Sequence, residues 1–189
     1  MRPRRVCVFC GSSLGARAEF AAAARTVGRL LVARGLGVVY GGGRVGLMGS
    51  LADAVLEAGG EAIGVIPEQL ADRELAHRGL TELHVVGSMH ERKARMFDLA
   101  DAFAALPGGL GTLEEMFEMA TWAQLGLHPN PVALLNAAGY FDPLVAFLDS
   151  AVREGLLAPE HRSLVHVERD AERLVDVVAT WASRIPRSP

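Results

Sequence analysis

Short apolar runs rich in Val, Ile, Ala and Phe alternate with longer stretches whose apolar residues recur at helical spacing, from one end of the chain to the other. Apolar runs closed by glycine or proline read as strands buried on both faces, and the helical stretches between them read as crossover connections. The pattern predicts strands at residues 6–10, 37–40, 62–66, 83–86, 102–106, 132–135 and 164–167. Helices are expected at 16–34, after a glycine turn to 58, at 89–99, after a second glycine turn to 125, at 142–154 and at 171–183. In the first of them Phe20, Ala24, Val27, Leu30 and Leu31 mark one face, and Ser88 is placed to cap the helix that begins at Met89. The implied fold class is α/β, a doubly wound, mostly parallel sheet with helices on both faces, in a single domain over 1–189. Two stretches break the pattern: the charged segment 68–78, read as a solvated surface helix in preference to a lid, and residues 185–189, read as a frayed tail.

The candidate chemistry gathers where strands meet helices through glycine. Pro107-Gly108-Gly109-Leu110-Gly111-Thr112-Leu113-Glu114-Glu115 follows a buried strand and opens a helix. Its glycines let the backbone turn tightly, and the helix start offers unpaired amides and a positive dipole end, the outline of an anion site. Thr112 is placed to cap the helix or to donate to a phosphate, and Glu114 and Glu115 put carboxylates in its first turn. These two lie roughly 100° apart around the helix, so only one of them faces a given point. A second glycine turn, Gly41-Gly42-Gly43-Arg44-Val45-Gly46-Leu47-Met48-Gly49, also ends a strand, so both turns should open on the same edge of the sheet. Arg92 and Lys93 stand early in a helix at that edge, where two cations oppose the dipole unless an anion is shared there. Gly41, Gly43 and Gly46 satisfy G-x-G-x-x-G, but after the second strand and with Glu61 ahead of a strand, the wrong setting for a dinucleotide. With no G-x-x-x-x-G-K-[ST] either, a monophosphate and its sugar suit the turns better than NAD or ATP.

Composition narrows the partners. A net charge of −3 gives no electrostatic reason to expect nucleic acid or an anionic membrane, and no apolar run is long enough to span one. The basic start lacks a signal-peptide core, so a cytoplasmic protein is expected. The two cysteines, Cys7 and Cys10, form C-x-x-C within a strand, where they point to opposite faces and read as structural. On helical spacing Glu115, Met119 and Trp122 share a side, which reads as core packing ahead of a pocket wall.

The two glycine turns, together with Met89-His90-Glu91-Arg92-Lys93, resemble the Lonely Guy (LOG) family, whose members formerly carried the label lysine decarboxylase. The resemblance runs from Cys10-Gly11-Ser12-Ser13 to beyond Trp122, and PGGxGTxxE is its most specific motif. It implies a Rossmann-like homodimer, or a larger assembly, with active sites at the subunit contact. The implied activity is splitting of cytokinin riboside 5′-monophosphates, and often AMP, into free base and ribose 5-phosphate. By matched position Arg92 and Glu115 resemble the catalytic pair, and Lys93, Gly109, Gly111 and Thr112 the phosphoribosyl-binding residues. Glu74 and Thr121 match further nucleotide contacts. Gly108, Leu110, Leu113 and Glu114 belong to the same cradle, and Gly42, Gly43, Gly46 and Met48 help to shape the pocket. An ionised Glu115 would stabilise the oxocarbenium character of the ribose and orient water, so neither a metal nor a cofactor is expected. Two other classes are weighed against this. A nucleotide or pterin carrier would need no Arg92 with Glu115, and a single-strand DNA binder would need a basic groove that the acidic balance does not provide. The decarboxylase label fits worst, since no lysine sits where a pyridoxal Schiff base would need it.

Overall fold

The computed structural model describes residues 3–71 and 76–184; Glu74 and the 185–189 tail lie outside them. The elements run β1 (Arg4–Phe9), α1 (Ala18–Ala33), β2 (Leu36–Tyr40), α2 (Gly46–Glu57), β3 (Ala62–Pro67), α3 (Glu68–Ala71), β4 (Glu82–Val86) and α4 (Met89–Leu99). Then follow β5 (Ala102–Ala105), α5 (Leu110–Gln124), β6 (Val132–Leu135), α6 (Asp142–Arg153), α7 (Pro159–Arg162), β7 (Val165–Glu168) and α8 (Ala171–Arg184). The seven strands form one sheet in the order β4-β3-β2-β1-β5-β6-β7, and every pairing is parallel. The winding reverses at β1, which pairs with β2 on one side and β5 on the other. No helix is long and apolar enough to cross a membrane among the described residues.

Alternation along β1 sorts the core into two layers. Val6, Val8 and Cys10 face a cluster with Phe20 and Leu31 of α1, Leu51 and Val55 of α2 and Leu174 and Val178 of α8. Cys7 and Phe9 face the other, with Met96 and Leu99 of α4, Met116 and Met119 of α5 and Leu148 of α6. Helices therefore cover both faces, as the apolar runs imply, and the two cysteines lie on opposite sides of the sheet. Burial pushes both thiols up, and the Glu115 carboxylate adds to this. Met119 is core, and Trp122 packs against the same cluster.

Two expectations of local structure are corrected. Segment 68–78 begins with a single helical turn, α3, and does not continue as a surface helix at its far end. Ala76 forms an antiparallel bridge with Gly43, and His77 N–H donates to Gly42 O at 2.9 Å. The chain is stapled back onto the first glycine turn. The second correction concerns α5, whose N-cap is Gly109. Thr112 is thus the third residue inside the helix and not its cap, and Glu114 and Glu115 fall in its second turn, where the end of the dipole counts for less.

Close approach of α1 to α2 depends on Gly28. A Cβ there would lie 2.9 Å from Leu51 O and 3.2 Å from Ala54 Cβ. Alanine gains about 1 kcal/mol in helix propensity, but overpacking against a backbone oxygen costs about 1–3 kcal/mol. Gly28→Ala is therefore expected to lower stability in urea unfolding; a raised midpoint would show that the two helices can separate freely.

Candidate active site

The reversal of strand order at β1 leaves a crevice beyond the C-terminal ends of β1, β2 and β5. Backbone bonds tie its walls together. Gly11 N–H donates to Pro107 O at 3.0 Å, and Gly11 O accepts from Leu47 N–H at 3.0 Å and Met48 N–H at 3.3 Å. The turn after β1 thus joins both glycine turns at one edge. They enclose a cavity of about 180 Å³, lined by Val8–Ser12, Gly41, Met48, Arg92, Gly109–Thr112 and Glu115.

Arg92 and Glu115 form the charged part of this wall. Both are buried, with 6% and 8% of their surface exposed. Ser88 Oγ accepts from Glu91 N–H at 3.1 Å, and Glu91 reaches back to Gly87 N–H at 2.8 Å, so the start of α4 is firmly capped. From that first turn Arg92 donates Nε to Val65 O and Nη2 to Gly41 O, both at 3.1 Å. These are a carbonyl within β3 and that of the residue just after β2, so the guanidinium is fixed by backbone. Its Nη1 stands 3.8 Å from Glu115 Oε1, an ion pair beyond direct hydrogen-bond length for those two atoms.

The start of α5 supplies the other wall. Leu113 N–H closes the first helical bond onto Gly109 O at 3.1 Å, so the amides of Gly109, Leu110, Gly111 and Thr112 have no acceptor within the helix. Thr112 is buried, and a side chain at Gly108 would collide with its hydroxyl. Leu110, at 87% exposure, stands on the lip of the cavity. Four unpaired amides at the positive end of a helix, with an arginine nearby, make a site for an anion.

Not every candidate lines this cavity. Lys93 pairs with Glu114 and, at 2.9 Å, with Glu118. Burial alone would lower its pKa, but the two carboxylates outweigh burial and leave it raised. The lysine is held by these acids rather than presented to the cavity. Glu114 is exposed, Thr121 is exposed farther along α5, and Leu113 packs on the core. Gly42 and Gly46 hold left-handed conformations, with φ of +78° and +65°; Gly46 packs on Ser12 backbone and Gly43 bridges to Ala76. Of the first turn, Met48 reaches the cavity, as does Gly41, which was not among the candidates. Gly11 and Ser12, in the stretch where the family resemblance begins, also line it and were not among the candidates.

Fold and site together define a doubly wound α/β protein with a crevice that combines a helix start with a buried arginine–glutamate pair. A family model described as possible lysine decarboxylase matches residues 48–178. The chain belongs to this family, the Lonely Guy (LOG) family. A probable cytokinin riboside 5′-monophosphate phosphoribohydrolase of Oryza sativa subsp. japonica is 55% identical over 174 residues, covering 92% of this chain and 77% of its own. A cytokinin riboside 5′-monophosphate phosphoribohydrolase of Rhodococcoides fascians is 50% identical over 177 residues, covering 93% and 89%. The solved molybdenum cofactor carrier protein of Chlamydomonas reinhardtii superposes with a TM-score of 0.71 at 21% identity, covering 97% of this chain and all of that one, a likeness of fold.

The position of Arg92 depends on Gly41, where a Cβ would collide with Nη2. Gly41→Ala should therefore expel the guanidinium from Gly41 O and leave a buried charge short of a partner, costing about 1–3 kcal/mol. A crystal structure of the variant with Arg92 unmoved, or unchanged urea stability, would refute this.

Proposed function

We propose that the protein hydrolyses the N-glycosidic bond of cytokinin riboside 5′-monophosphates, and of AMP, to free base and ribose 5-phosphate. The observation that carries this reading is the buried Arg92–Glu115 pair on the same cavity as the unpaired amides of α5. The activities named for its relatives support it. The cavity takes the phosphate and sugar, and the base lies toward the mouth, where Leu110 is exposed.

The phosphate rests on the Gly109–Thr112 amides and the Thr112 hydroxyl. As the C–N bond lengthens, its electron pair leaves with the base, which takes up a proton from solvent, and the ribose gains oxocarbenium character. The Glu115 carboxylate faces that positive charge and orients the water, taking the proton that the water sheds as its oxygen bonds to C1′. Arg92, anchored by the carbonyls of Val65 and Gly41, holds Glu115 in register. Glu115→Gln is expected to lower base release from AMP and isopentenyladenosine monophosphate by about 10²-fold or more while nucleotide binding persists. Tight binding by the wild-type protein with no base released from either would favour a carrier instead.

The functional unit in this reading is a homodimer with active sites at the subunit contact. Glu114 and Thr121, exposed on α5, and Lys93 beside them then face the partner subunit instead of the cavity of their own chain. Sedimentation equilibrium should give twice the mass of one chain; a monomer with full activity would sink this part.

A further inference from the structure

We infer that Tyr140 is a positioning residue for the phosphate cradle, acting through the Gly108–Gly109 peptide; the inference rests on the phosphoribohydrolase reading of the cavity. Tyr140 lies just after β6, far from the glycine motif in sequence, and its hydroxyl donates to Gly108 O at 2.7 Å. A trans peptide is planar, with its carbonyl and the following N–H on opposite sides, and no peptide in the described residues is cis. Holding Gly108 O toward the β6 turn therefore turns Gly109 N–H the other way, away from Tyr140.

The neighbouring peptides are fixed in the same manner. Pro107 O accepts from Gly11 N–H at 3.0 Å, which directs Gly108 N–H, and Gly109 O accepts from Leu113 N–H at 3.1 Å, which directs Leu110 N–H. Three successive carbonyls are thus anchored by the turn after β1, by the turn after β6 and by α5 itself. Tyr140 supplies the one anchor of the three that is a side chain. A donor on Gly108 O also polarises that peptide and makes its N–H a better donor to an anion.

The turn that presents Tyr140 is strongly constrained. Asn136 accepts from Phe141 N–H at 2.8 Å and donates to Asp142 at 2.7 Å, and Arg17 donates to Ala138 O at 2.9 Å. Ala138 is held at φ +51°, a conformation unfavourable for a residue with a Cβ, which persists only where the surroundings impose it. The Tyr140 ring packs edge-on against Phe20 at 5.3 Å and Phe141 at 4.8 Å, so its direction is set independently of the hydroxyl. Tyr140→Phe preserves that packing and removes only the donor.

The test measures ribose 5-phosphate binding by calorimetry, and kcat and KM with AMP, for the wild-type protein and Tyr140→Phe, after matching their thermal unfolding. The expected result is about a three- to tenfold loss of ribose 5-phosphate affinity and a similar rise in KM, with kcat nearly unchanged, the worth of one hydrogen bond. A purely structural role would instead lower the melting temperature and leave affinity alone. Equal ribose 5-phosphate affinity in the two proteins overturns the proposal even where base release is normal, and so does a wild-type protein that does not bind ribose 5-phosphate. Weakened binding in Tyr140→Phe with no base release by the wild type would uphold the positioning role and overturn only the reaction.

Discussion

The arrangement of the site depends on one buried cation. The Arg92 guanidinium has left water, which costs several kcal/mol unless its donors are met. Two are met by the carbonyls of Val65 in β3 and of Gly41 just after β2, and the charge is met by Glu115 from α5. A helix, two strands and a second helix therefore converge on a single side chain. Such buried pairs add little net stability over a well-packed apolar replacement. What this one secures is the placement of a carboxylate on the cavity wall, opposite the fixed guanidinium.

On the proposed reading, that pair also accounts for a phosphate cradle built of amides in place of a lysine. Arg92 and Glu115 nearly cancel in charge, so attraction for a phosphate falls to the start of α5, where the helix dipole is equivalent to about half a positive charge. A second free cation in the cavity would compete with Arg92 for Glu115. Lys93 is the neighbouring cation, and Glu114 and Glu118 hold it elsewhere. Orphan amides offer directed donors that cannot collapse onto the carboxylate, provided that their peptides are held. The bonds to Pro107 O, Gly108 O and Gly109 O hold them.

The fold was legible because an all-parallel sheet writes itself as apolar runs between amphipathic helices, and those runs became the strands with shifts of one or two residues. The glycine turns marked the edge where the site lies, since β1, β2 and β5 all end there. What could not be read were contacts made by backbone atoms. Val65 O and Gly41 O carry no residue signature, so the direction of Arg92 was hidden, and the bonds joining 76–77 to the first glycine turn were equally silent. The start of α5 was misplaced toward Thr112 because three nearby glycines do not say which is the cap. Tyr140 was missed because nothing local links it to Gly108.

The two adjacent acids on α5 and two adjacent cations on α4 form a register. Arg92 meets Glu115 and Lys93 meets Glu114, so the pairing runs in opposite directions along the two helices. Glu118, one helical turn beyond Glu114, closes on the same lysine. An exposed pair such as Lys93–Glu114 contributes only about 0–1 kcal/mol. Its energetic weight lies in the alternative it opposes. Rotating α5 by one residue turns its side chains by roughly 100°, bringing Glu114 toward the cavity and Glu115 away from Arg92. The buried guanidinium would then face the wrong carboxylate and Lys93 would lose its partners, so the outer pair helps hold Glu115 at the cavity.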